Sequence, residues 1–356
     1  MFPYAGSYRT AAGGTMVVTL QGWLIDLGSG SVSALSETGD PALFLLSPGF
    51  GGTPADGTVR FTAASAGAGD RLEQDGEGGG RVSATRLPVT RHDVRIQSGD
   101  ASLAGTVVEP AVPGPRPGVV ITHGSGRQVR QDADLFTNLF ASLGFTVLTY
   151  DKRGTGDSGG AYPGERATDG NLNAYAADLV AVTRYLRGVP GVAGSRVGVY
   201  GGSQAGWVIP LAAQELPWLG FAVVAVGPAV TVSQQELYAT MSGNGAFVPA
   251  ASDDQIDADV RAAIGGFDPT PSLRRLTAPA LWLLGGRDLH VPTRVSAANL
   301  AALRRPNLTV HVSPEADHAL LATAHGLDAE DAMATRFAPD ALAAIEAWVR
   351  DVGLVR

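Results

Sequence analysis

The sequence predicts an α/β chain in which a mostly parallel central sheet, covered by helices on both faces, follows a small antiparallel β domain. Three observations carry this reading. From His92 onward short apolar runs alternate with segments of helical periodicity, whereas before about Thr90 strand-like segments follow one another with only turn formers between them. Between Arg196 and Pro210 the stretch RVGVYGGSQAGWVIP drives a short buried strand directly into a helix.

At 356 residues the chain is long for one domain and suggests about two. Hydrophobic residues make up 45% and charged residues 17%, which excludes disorder, and no apolar run reaches the roughly 18 residues that would span a bilayer. A net charge of −8 argues against a nucleic-acid partner. There is no cysteine, so disulfides, thiolate chemistry and cysteine metal sites are excluded, and Lys152 is the only lysine. The opening MFPYAGSYRT lacks the basic region and apolar core of a secretory signal, and the expectation drawn from it is a cytoplasmic protein.

Residues 1–90 read as the β domain. Strands are expected at Met16 to Leu20, Trp23 to Leu27, Ser31 to Leu35, Leu43 to Leu46, Val59 to Thr62 and Arg81 to Leu87, punctuated by GSGS, ETGDP and QDGEGGG. This domain holds no histidine and no nucleophile constellation, so its expected role is packing and lid support. Residues 91–356 form the second domain. A hairpin (His92 to Gln97 and Ser102 to Glu109) precedes a continuous apolar strand at Pro117 to Thr122, of the kind found inside parallel sheets. Then come a helix (Asp132 to Leu143), a strand (Phe145 to Tyr150), a helix (Leu172 to Leu186), the central strand with its helix, and a strand (Phe221 to Val226). The chain closes with a strand (Ala280 to Leu284), a helix (Thr293 to Leu303), a strand (Leu308 to Val312) and an amphipathic helix (Pro339 to Val352). Ligands in such sheets bind beyond the carboxyl ends of the strands.

Every chemistry-bearing loop falls there. HGSG at 123 to 126, DKRGTGDS at 151 to 158, Ser203, Asp288 within GGRD, and His318 within PEADHALL each follow a strand. Ser203 sits in GGSQAG, where small residues on both sides let strand and helix approach around a strained nucleophile; the usual G-x-S-x-G pattern has Ala205 in place of its second glycine. A serine hydroxyl needs a base to take its proton and a third group to orient that base. His318 and Asp288 supply these in the order Ser, Asp, His expected on an α/β sheet. The backbone N–H of Gln204 is one expected oxyanion donor, and the second is assigned by motif position to Ser125 rather than Gly124 or Gly126. His325 is the main rival to His318, with His92, His290 and His311 less well placed. Glu315 and Asp317 lie too close in sequence to His318 to replace Asp288 easily. No HExxH spacing supports a metal, and no cofactor is expected.

Taken together, HGSG, YDKRGTGDSGG at 150 to 160, GGSQAG, GGRDLHVP at 285 to 292 and ADHALL at 316 to 321 resemble the α/β-hydrolase superfamily, and most closely bacterial serine esterases and acyl-peptidase-like hydrolases. The likeness covers about Asp93 to Val352. It implies an α/β-hydrolase fold with a catalytic Ser203, Asp288 and His318, and a structural loop in which Asp151 and Arg153 bond internally. It also implies a small cap inserted at about 228–277, with Phe247, Tyr238, Met241 and Phe267 as pocket walls. The resulting expectation is hydrolysis of a small or medium carboxylic ester through an acyl-enzyme. A peptidase or amidase, an acyltransferase, and a noncatalytic scaffold are the alternatives. Acidic residues Asp253 and Asp254 are the only hint of amine recognition, and with Asp257 and Asp259 they read most simply as the solvated face of a helix.

Overall fold

The computed structural model describes residues 2–51, 57–62, 71–76 and 80–355. Its N-terminal part is a closed antiparallel barrel of eight strands: β1 (Gly6–Thr10), β2 (Thr15–Val18), β3 (Trp23–Asp26), β4 (Val32–Glu37), β5 (Leu43–Pro48), β6 (Gly57–Thr62), β7 (Arg71–Gly76) and β8 (Arg81–Arg86). Each strand pairs with the next, and β8 returns to β1. Six strands were expected; β1 and β7 are the additions. Both are short on apolar residues, since a small barrel needs only alternate side chains inside, here Tyr8 from β1 and Leu72 from β7. Part of the QDGEGGG turn lies outside the described residues.

The second part is one eight-stranded sheet. Its order is β9 (Val89–Ser98), β10 (Ala101–Pro110), β12 (Thr146–Tyr150), β11 (Arg116–Ile121), β13 (Val192–Gly202), β14 (Phe221–Ala225), β15 (Ala280–Gly285), β16 (Leu308–Ser313). Only the hairpin β9–β10 and its junction with β12 are antiparallel; the remaining neighbours run parallel. The inner strands β12, β14 and β15 are buried along their whole length, as their unbroken apolar runs require. Helices α2 (Asp169–Arg187) and α3 (Ala205–Ala213) cover one face, and α1 (Asp134–Ser142) and α9 (Ala341–Asp351) the other. A 3-10 turn at Arg130–Ala133 leads into α1, so the helix expected from Asp132 begins two residues later.

Between β14 and β15 three helices are inserted: α4 (Val232–Ser242), α5 (Asp253–Ala262) and α6 (Thr270–Arg275). After β15 come α7 (Thr293–Ala302) and, past β16, the single-turn α8 (Asp328–Asp331). The barrel docks on α1 and on the segment before α9. Ser7 Oγ donates to Asn138 O at 2.9 Å, Leu20 N to Asp134 Oδ2 at 2.8 Å, and Arg9 Nη2 to Ser142 O at 2.9 Å. On the other side Val32 N donates to Thr335 O and Phe337 N to Gly30 O. The barrel thus holds the helix and the loop that flank the candidate site. No described helix is long and apolar enough to cross a membrane.

Candidate active site

The turn from β13 into α3 holds Ser203 at φ 53°, a left-handed backbone that a serine adopts only when its surroundings impose it. The surroundings are tight. A Cβ on Gly201 would lie 2.6 Å from both the Ala205 Cβ and Thr122 Cγ2, and one on Gly206 would lie 2.7 Å from the backbone of Gly227 and Pro228. Glycine is therefore required at 201 and 206, while the Ala205 methyl fits against Gly201. The departure from G-x-S-x-G costs the turn nothing, because its close approach has moved one residue on. Two more non-glycine residues with positive φ, Val226 (45°) and Leu320 (63°), line the same cavity as Ser203. Backbone strain of this kind gathers where a site is held in a fixed shape.

Ser203, Asp288 and His318 come together from three loops. His318 Nε2 lies 3.1 Å from Ser203 Oγ, and His318 Nδ1 lies 2.9 Å from Asp288 Oδ2. An ionised carboxylate can only accept, so Nδ1 carries the hydrogen and Nε2 is left to accept from the serine. The other carboxylate oxygen of Asp288 accepts the N–H groups of His290 and Val291, at 2.8 and 2.9 Å, which fixes its orientation. Burial by itself would push the His318 imidazolium toward losing its proton. The charge of Asp288 and its hydrogen bond outweigh this, so the pKa of His318 is raised above the ordinary 6.5.

The rival groups are engaged elsewhere. His325 bonds Glu330 at 2.8 Å, His311 bonds Asp340 at 2.7 Å, and His92 pairs with Glu109 at 3.4 Å. His290 bonds Asp328 and stacks on His318 with ring centroids 4.5 Å apart, a contact that sequence order did not foretell. Glu315 pairs with Arg336, and Asp317 accepts the N–H groups of Ala319 and Leu321, shaping the loop that carries His318.

The N–H groups of Ser125 and Gln204 donate to no described group. Ser125 lines the cavity with Ser203 and His318, whereas Gln204 borders a small void around Lys152. The sequence placed Lys152 in the DKRGTGDS loop at this sheet edge but gave it no role. It is 2% exposed and faces no carboxylate at ion-pair distance among the described residues. Its ammonium donates to Gly124 O at 2.7 Å and Gly126 O at 3.1 Å, reaches Gln204 Oε1 at 3.4 Å, and sits 4.1 Å over the Tyr175 ring. One cation thus ties the backbone on both sides of Ser125 to the side chain of Gln204. Burial pulls its pKa down to about 8. His123, half-buried with its ring desolvated and close to this charge, is pulled down to about 3; it stays neutral and donates from Nε2 to Tyr150 O at 2.6 Å.

Asp151 and Arg153 bond internally, as expected for a structural loop. Asp151 accepts from Arg130 and from the N–H of Asp157, and Arg153 grips the buried Asp178 with two bonds of 2.8 and 2.7 Å.

The cavity beside Ser203 has a volume of about 350 Å³. Its walls come from the HGSG loop, the start of α1, the ends of the strands and the His318 loop, and none of the four expected wall residues takes part. Tyr238 instead donates to Asp288 O at 2.6 Å, Met241 packs against a small cluster with Ile256, Val260 and Val295, and Phe267 packs on the main core. Phe247 is 54% exposed. The inserted helices therefore brace the Asp288 loop from behind, because their apolar side chains are spent on α7 and on that loop. Asp253 and Asp254 lie on α5 against Arg294, at 3.6 and 2.6 Å, away from the cavity. Among the described residues no cluster of histidine and carboxylate side chains could hold a metal ion.

Fold and site define the class: a serine hydrolase of the α/β-hydrolase type. The sequence profile of the prolyl oligopeptidase family matches residues 132–344, over half of the chain, and the chain belongs to that family. No curated protein matches it at the sequence level. Among solved structures it is similar to an esterase of Pyrococcus furiosus, with 19% identity, a TM-score of 0.50, and coverage of 74% of this chain and 89% of that one. It is also similar to DcsB in complex with its substrate analogue, with 18% identity, a TM-score of 0.51, and coverage of 74% and 99%. At these identities the likeness is one of fold.

Proposed function

We propose that this chain hydrolyses small or medium carboxylic esters through an acyl-enzyme on Ser203. The observation that carries the reading is the continuous hydrogen-bonded line from Ser203 through His318 to Asp288, with the serine held in a strained turn that lines a cavity. In this mechanism His318 Nε2 takes the Ser203 proton as Oγ attacks the ester carbonyl. The oxyanion is met by the N–H groups of Ser125 and Gln204. The imidazolium, steadied by Asp288, then protonates the departing alkoxide. Water repeats the sequence, with His318 as base again, and frees the acid.

The acyl group remains tied to Ser203 while the alcohol leaves, so the apolar side of the cavity suits the acyl part and the side open to solvent the leaving group. Membership of a family described by oligopeptidases supports a peptidase as the second reading. Against it, the only carboxylate among the described residues lining the cavity, Asp132, is exposed to water, and the cation Arg130 lines the same cavity and repels a substrate ammonium. Hydrolysis rates for short-chain 4-nitrophenyl esters and for aminoacyl 4-nitroanilides separate the two. The ester reading requires kcat/KM for the best ester to exceed that for the best anilide by more than their intrinsic reactivity difference, and it fails if the anilides win.

A further inference from the structure

The cavity beside Ser203 is apolar along most of its wall, with Ile121, Phe136, Ala225, Val226 and Leu320 contributing. Tyr200, on β13 three residues before Ser203, also lines it. Its side chain is out of place there. Tyr200 is only 4% exposed, yet its hydroxyl has no hydrogen-bond partner among the described residues. Tyr150, Tyr175 and Tyr238, by contrast, bond Thr122, Gly164 O and Asp288 O respectively, while the Tyr162 hydroxyl, away from this cavity, is also unpartnered among the described residues. The Tyr200 ring is held by Phe136, with centroids 4.5 Å apart, and by Phe140 at 5.5 Å, so it has little freedom to turn its hydroxyl elsewhere. The Tyr200 oxygen is not sealed off from solvent, so with no partner among the described residues it is open to a group that enters the cavity. Burial also raises the phenol pKa well above its usual value, so the group remains a neutral hydroxyl able to donate.

We propose that the acyl group taken by this site is a short apolar chain carrying one hydroxyl or oxo group, which hydrogen-bonds to Tyr200 Oη inside the cavity. The proposal rests on the ester-hydrolase reading above and names the substrate class for it. A hydroxyl fixed beside Phe136 in the cavity wall favours the chain that bonds it, since an unsubstituted chain would displace water from Tyr200 Oη without replacing its hydrogen bond. The bond also fixes the chain's direction in the pocket, which places the ester carbonyl at Ser203.

The test is a panel of 4-nitrophenyl esters of four- to six-carbon acids, unsubstituted or with one hydroxyl or oxo group at C3, C4 or C5, assayed with the native enzyme and Tyr200→Phe. The native enzyme is expected to prefer at least one substituted ester over its parent by roughly 10- to 100-fold in kcat/KM. In Tyr200→Phe that preference collapses to about twofold or reverses, through both a loss on the substituted ester and a gain on the parent. A native enzyme that favours the unsubstituted ester at every position overturns the proposal without recourse to the variant. So does a Tyr200→Phe enzyme that unfolds at the native temperature and keeps the preference. If no ester is turned over and Ser203 does not react with a fluorophosphonate, the hydrolase reading falls and takes this proposal with it.

Discussion

Replacing Lys152 by methionine keeps most of the side-chain volume and removes the cation beneath the loops that carry the two proposed oxyanion donors. Two carbonyls lose a charged donor at 2.7 and 3.1 Å, and Gln204 Oε1 loses a weaker one at 3.4 Å. Hydrogen bonds to a charged group are worth about 1.5 to 3 kcal/mol each. The drop of the lysine pKa from 10.5 to about 8 shows that burial takes back much of this, on the order of 3 kcal/mol. The net loss of stability is therefore modest, about 1 to 3 kcal/mol for the carbonyls left unpaired. The kinetic effect is larger if the proposed mechanism holds, because Gly124 and Gly126 flank Ser125, one of the two proposed donors. Loss of one well-placed oxyanion donor lowers kcat by roughly 10²- to 10³-fold. The expected result for Lys152→Met is a kcat lower by at least tenfold with KM within about threefold, in a protein that still unfolds cooperatively. The assay is steady-state hydrolysis beside a thermal melt. An unchanged kcat would show that the HGSG loop holds itself, and a rise confined to KM would place Lys152 in substrate binding.

Three further outcomes follow from the same geometry. In the proposed mechanism His318 must be neutral to accept the Ser203 proton, and its pKa is raised, so kcat/KM should fall as pH drops, with a half-point above 6.5. In Asp288→Asn the raising influence is removed and burial remains, so the half-point moves down while kcat falls by up to about 10⁴-fold; an unmoved half-point refutes the assignment. Gly206→Ala would press a methyl 2.7 Å from rigid backbone and should destabilise the protein by about 1 to 3 kcal/mol or more, whereas Ala205→Gly should cost about 1 kcal/mol and retain activity. The reverse ranking in thermal melts would contradict the account of the turn. Asp253→Asn with Asp254→Asn breaks only exposed pairs with Arg294, so stability should change by less than about 1 kcal/mol and the ester-to-anilide ratio by less than twofold. A selective loss on aminoacyl anilides would instead support the peptidase reading.

Much of the parallel sheet was legible because its inner strands are continuous apolar runs and its loops carry residues of distinctive chemistry. The proposed triad could be read because Ser203, Asp288 and His318 each follow a strand at the same sheet edge, and strand order alone brings them near. Lengths and registers were harder. β1 and β7 escaped because a barrel strand with a single large buried residue, Tyr8 or Leu72, has no run of apolar residues to announce it. The inserted helices misled for a different reason. Tyr238 and Met241 have the composition of pocket walls, but their direction depends on how α4 packs on α5 and on the Asp288 loop, which is set by contacts distant in sequence. Lys152 and Tyr200 matter through what surrounds them, a carbonyl cage and an apolar cavity. Neither surrounding exists until the chain has folded.

The most direct test is to react the protein with a fluorophosphonate and locate the adduct by peptide mass spectrometry, comparing the native enzyme with Ser203→Ala and His318→Ala. The account predicts a single adduct on Ser203 in the native enzyme, none in Ser203→Ala, and labelling slowed by orders of magnitude in His318→Ala. An adduct on another serine, or equal labelling in the histidine variant, would contradict it.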